Sequence, residues 1–120
     1  MASAQDYIAR IKKARETMVP CEGVEYDFVV RRPTDMEMLE SKKFTRAELF
    51  QKFVVDWPGM KELHLVPGGT GIEVPFDAEL FVEWVADRPE LWGPLSEAIV
   101  ESYQRHQKAL DDKLGKPAAG

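Results

Sequence analysis

The chain holds one cysteine, two histidines and no apolar run approaching the roughly 20 residues of a membrane helix. A lone Cys21 excludes an internal disulfide and any zinc centre built on several thiolates. Its neighbour Glu22 opposes thiolate formation, so nothing adjacent prepares it as a nucleophile. His64 and His106 carry all the imidazole chemistry, and neither HExxH nor HxxxH spacing occurs. The glycine-rich run Pro67-Gly68-Gly69-Thr70-Gly71 lacks the lysine of a phosphate loop and precedes strand-like residues. Residues 1–16 contain no apolar signal segment, so secretion is not expected. No catalytic residue, cofactor-binding residue or metal ligand is expected, and no cofactor.

What is present is an ordinary globular composition. Hydrophobic residues are 44% and charged residues 31% of 120, which excludes collagen-like, mucin-like and wholly disordered chains. A chain of this length buries roughly 65% of its unfolded surface, enough for one core without staples. The net charge of −5 is unevenly placed. Residues 1–60 carry ten bases and ten acids; residues 61–120 carry six bases and eleven acids. Between Glu73 and Glu101 there are eight acids and one base, Arg88. That field repels nucleic acid and attracts a basic partner.

Apolar periodicity predicts one α+β domain, mostly helical, over residues 1–114, with a flexible tail at 115–120. Ser3 and Asp6 open a helix over about 4–17, with a basic outer face of Arg10, Lys12, Lys13 and Arg15. This N-terminal helix, residues 1–18, is expected to attach loosely. Alternation over residues 24–31 predicts a strand with Val24, Tyr26, Phe28 and Val30 on one face. Thr34 with Glu37 and Thr45 with Glu48 are capping boxes. The second starts a helix through Leu49, Phe50 and Phe53 to Trp57. Residues 62–75 read as a hairpin around the glycines, with His64 on its solvent face. The small antiparallel sheet is therefore expected from the 24–31 strand plus this hairpin. Asp77 caps a helix to about Asp87, with Phe76 and Phe81 at hydrophobic-staple spacing. After an interhelical corner at Pro89-Glu90-Leu91-Trp92-Gly93-Pro94, a long helix runs to about Asp112, with His106 near its apolar stripe.

Glu79 with Glu83 and Glu97 with Glu101 form pairs at i, i+4. They lie opposite apolar stripes, so they suit a wet docking face better than acid–base work, which needs a cleft. Trp57 and Trp92, beside prolines at element ends, are either packing residues or interface anchors.

One constellation is familiar. Phe53-Val54-Val55-Asp56-Trp57, then Gly59, a glycine-rich turn, Val74-Pro75-Phe76-Asp77 and Ala98-Ile99-Val100-Glu101-Ser102-Tyr103 resemble the tail assembly chaperones of long-tailed phages and prophages. Arg32-Pro33-Thr34-Asp35 after a strand adds to the likeness, which covers roughly residues 24–114. Residues 61–67 lengthen the turn relative to many members, and the basic N-terminal helix is not a family hallmark. The resemblance implies a non-enzymatic chaperone in the bacterial host cytoplasm. It would bind the tape measure protein, and the tail-tube protein as a second partner, without nucleic acid or membrane. Members made in two lengths by ribosomal slippage suggest the same for this chain at Gly115-Lys116. The partner surface expected on this basis combines Trp57, Glu79, Glu83, Trp92, Glu97 and Glu101, with a helix laid in a groove. Two alternatives remain beside it: another phage structural adaptor of the head–tail joining type, and a small ligand-binding or enzymatic domain.

Overall fold

The computed structural model describes residues 2–114. The expected tail at 115–120, with the Gly115-Lys116 pair, lies outside the described residues. The elements run α1 (Ala4–Lys13), β1 (Glu16–Val19), β2 (Phe28–Arg31), α2 (Asp35–Leu39), α3 (Arg46–Phe53), β3 (Val54–Asp56), α4 (Glu62–Leu65), α5 (Ala78–Val85) and α6 (Pro89–Lys113). A 3-10 turn at Ser41–Lys43 links α2 to α3. The fold is a helical α+β domain with a three-stranded antiparallel sheet in the order β1-β2-β3.

Local chemistry sets most helix starts. Ser3, Thr34 and Thr45 each accept a hydrogen bond from the backbone N–H three residues on. The carboxylate at that third position accepts in turn from the cap's own backbone N–H, so two orphan donors are satisfied at each start. Asp77 accepts from Leu80 N at 2.9 Å and opens α5. Pro89 opens α6, where a missing N–H costs nothing. The expected corner at residues 89–94 is already helix. Pro94 lies in the second turn, where it removes a single intrahelical bond.

The sheet differs from expectation in its partners. The strand begins at Phe28 rather than Val24, which is 44% exposed. Its neighbours are Glu16–Val19 and Val54–Asp56, both read from sequence as helix ends. β-branched Thr17, Val19, Val54 and Val55 favour the pleated surface, and pairing with β2 overrides the helical periodicity. Between Val29 and Val30 the register skips one residue of β3, Val55.

Residues 61–73 do not form the expected hairpin. One bridge pairs Lys61 with Glu73, and between them Glu62–Leu65 makes a helical turn. The glycine loop folds back on that turn. Leu63 N donates to Thr70 O at 2.9 Å, and Thr70 N donates to the Glu62 carboxylate at 2.9 Å. Gly69 lies so close that a Cβ there would sit 2.5 Å from Glu62 O. Glycine here serves close backbone approach rather than a hairpin turn. His64 is consequently half-buried. It accepts a hydrogen bond from Lys61 N at 2.9 Å and meets Tyr26 edge-on at 5.1 Å.

The core fills the space between the inner sheet face and α3, α5 and α6. Phe28, Val30, Phe50, Phe53, Trp57, Phe81, Leu95 and Ile99 are all buried. On the outer side, Arg31 makes two parallel 2.8 Å hydrogen bonds to Glu37 and lies over the Phe53 ring at 4.6 Å. The fork joins β2 to α2. These Arg31 bonds, opposed by partial burial and helped by Thr34 N–H, hold the Glu37 carboxyl at about 2, against an ordinary 4.5.

Glu37 thus binds fewer protons folded than unfolded between those values. Its contribution is complete above pH 4.5 and is lost as pH falls toward 2. Allowing for partial solvent screening, the loss is about 1–3 kcal/mol. Urea unfolding at pH 7, 4 and 3 measures it. Glu37→Gln is expected to lose about the same amount at pH 7 and to flatten the acid-side decline.

Candidate functional site

Helices α3 and α5 pack side by side, and the first turn of α6 closes one end of the furrow between them. The furrow is an apolar groove of about 440 Å³ lined by Arg46, Ala47, Phe50, Val82, Val85, Ala86 and Trp92. Phe50 and Val85, each 2% exposed, form its floor. Ala47 and Ala86 keep it open, because their methyl groups leave space that a larger side chain would fill.

Each wall is fixed by something legible. The Thr45–Glu48 box sets the first turn of α3, which carries Arg46 and Ala47. The Asp77 cap sets the phase of α5, so Phe81, Trp84 and Val85 face the core while Val82 and Ala86 border the groove. Trp92 is half-buried, and its indole N–H donates to Val85 O at 2.7 Å. That bond satisfies its polar atom and leaves an apolar ring at the groove end. The Arg46 guanidinium stands 5.6 Å from the ring centroid, a cation–π contact. Among the described lining residues Arg46 alone ionises, so the groove offers apolar contact and no acid, base or nucleophile.

Of the six residues expected at the partner surface, Trp92 lines the groove and closes its end. Glu79 and Glu83 are exposed on α5, one turn before Val82 and Ala86 respectively, and so lie beside the lining residues. Glu97 and Glu101 are exposed on the face of α6 opposite Leu95 and Ile99, away from the groove. Trp57 is 1% exposed, with its indole N–H donating to Val74 O at 2.8 Å. It meets Phe76 at 5.3 Å and Phe81 at 6.2 Å, a packing position with no surface to offer. Arg46, Ala47, Val82 and Ala86 were not anticipated. Their one sequence signal is a small residue beside each buried stripe, Ala47 before Phe50 and Ala86 after Val85.

The groups considered for chemistry are placed elsewhere. Cys21 is half-buried, and burial followed by the nearby Asp27 pushes its thiol up. His106 lies beside Asp35, with 3.6 Å between Nε2 and Oδ2, an ion-pair distance rather than a hydrogen bond. Asp35 in turn accepts from the Tyr103 hydroxyl at 2.6 Å, and this bond lowers its pKa. Among the described residues no group of three or more His, Cys, Asp or Glu could hold a metal ion, and no helix is long and apolar enough to cross a membrane.

No protein-family model, curated protein or solved structure matches this chain.

The two tryptophans are expected to separate in a stability measurement. Trp57→Ala removes a fully packed ring and should cost about 3–5 kcal/mol in denaturant unfolding. Trp92→Ala should cost about 1–2 kcal/mol, since its ring is half-buried. Equal losses would contradict the distinction between core and groove.

Proposed function

We propose that the protein is a non-enzymatic adaptor that holds an apolar-striped helix of a partner in the groove between α3 and α5. The observation that carries this reading is the lining itself: apolar floor and walls, small residues at both sides and one tryptophan closing an end. Helix-in-groove recognition uses such a surface, with side chains at i, i+3, i+4 and i+7 of the guest helix as anchors. Glu79 and Glu83 along the margin favour a guest with lysine or arginine beside its apolar stripe.

The likeness to tail assembly chaperones supplies the partner. On that reading the guest is the tape measure protein of a long-tailed phage, whose long apolar-striped helices need cover until the tail-tube protein assembles around them. The acidic excess over residues 73–101 suits this role, because net charge keeps a protein with exposed apolar surface soluble.

Co-expression with the tape measure protein of a long-tailed phage tests the proposal. The expected outcome is a soluble partner that co-purifies with this chain. Val82→Glu, which places a charge on the groove wall, is expected to weaken co-purification about tenfold or more while the folded state persists. An insoluble partner, with this chain instead retained in mature particles, would overturn the chaperone reading in favour of a structural adaptor.

A further inference from the structure

Helix α1 has a well-formed start and, among the described residues, buries none of its apolar side chains against the fold. The Ser3–Asp6 capping box closes its first turn, yet none of its residues is buried. Tyr7, Ile8 and Ile11 are 53%, 44% and 54% exposed. With Ala4 they form one stripe, and Arg10 and Lys12 flank it on opposite sides. A helix of ten residues is marginal in water when nothing packs on it.

We propose that α1 of a second copy of this chain occupies the groove between α3 and α5, and that two copies exchange α1 reciprocally to close a symmetric dimer. The inference uses the groove assigned above to a partner helix and therefore rests on that assignment. Charge complementarity selects the occupant. Residues 4–15 carry four bases and one acid. Glu79 and Glu83 lie beside the groove lining, with Asp77, Asp87 and Glu90 at the ends of the same elements. These five acids outnumber the two cations beside them, Arg46 over Trp92 and Arg88 over the Trp84 ring at 5.0 Å. A cavity of about 440 Å³ is of the size that admits a few large side chains such as Tyr7, Ile8 and Ile11.

Reciprocity matters for size. One ten-residue helix in one groove is a small contact, and reciprocal exchange doubles the area buried, which favours reaching the roughly 1,200–1,600 Å² of a specific interface. The contact is isologous, so it closes and does not propagate. It covers the α1 stripe and the groove together. A guest helix with more apolar area would displace α1 by mass action, so the dimer would be a resting form that protects the groove.

Sedimentation velocity on the full chain from about 5 to about 200 μM is the test. Wild type is expected to shift from monomer to dimer across that range. Ile11→Glu, on the exposed stripe, and Val82→Glu, in the groove, should each weaken association about tenfold or more. The pair Glu79→Lys with Glu83→Lys should also weaken it, and Arg10→Glu with Lys12→Glu in the same chain should restore it. A monomer at every concentration would overturn the proposal, as would a dimer indifferent to both glutamate substitutions. Ile11→Glu lies outside the groove, so it should leave partner co-purification intact. A monomeric wild type that still solubilises the partner defeats the dimer alone; a dimer that solubilises nothing defeats the adaptor reading alone.

Discussion

Phe28 projects from the central strand into a cluster of rings that holds sheet and helices together. It meets Tyr26 at 5.6 Å and Phe81 at 5.7 Å, and Phe81 meets Phe50, Phe76 and Trp57. Most of these contacts are edge-to-face, the arrangement that ring quadrupoles favour. Phe81 and Phe50 tie α5 to α3 through their buried sides. Their separation is therefore set from beneath, by rings that cannot collapse further. Above the rings, Ala47 and Ala86 are too small to fill the remaining space. The groove is a consequence of large residues below and small ones above.

Charge is distributed around that frame with a consistent logic. The Arg31–Glu37 fork fixes α2 against the outer side of the sheet and is a structural pair, since both partners are satisfied. The acids of α5 and early α6 are otherwise exposed and, among the described residues, form no ion pair in the fold. Helix α1 carries the opposite sign, beside an apolar stripe that stays exposed among the described residues. Both surfaces pair an apolar strip with a charged margin, the pattern of surfaces made to meet another helix.

Most helices were legible because their signals are local. Capping boxes at Ser3, Thr34 and Thr45, and Asp77 with its staple, declare where a helix starts regardless of what it packs against. The sheet was legible in kind but not in membership. Thr17 and Val54 sit inside segments whose apolar spacing also fits a helix, and only the β2 edge decides between the two. The run from Pro67 to Gly71 carries turn residues but not the turn type. Gly69 is needed because the chain passes against the backbone of Glu62, a contact that spacing alone does not reveal. At the groove, sequence pointed to the acids and to Trp92 but assigned Trp57 equal standing. Both tryptophans sit near prolines at element ends, and burial separates them. The wall residues Ala47 and Val82 carry no chemistry and acquire meaning only when α3 and α5 are set side by side.

Occupation of the groove between α3 and α5 is read most directly at its own methyl groups. Methyl-resolved NMR of the chain, titrated with a synthetic amphipathic helix from its partner, reports on Ala47, Val82 and Ala86 separately from the rest of the molecule. Saturable shifts concentrated on those three methyl sites, with Val100 on the exposed side of α6 unmoved, are the predicted result. Shifts centred on Val100 and the Glu97–Glu101 face, or none at saturating peptide, would contradict it.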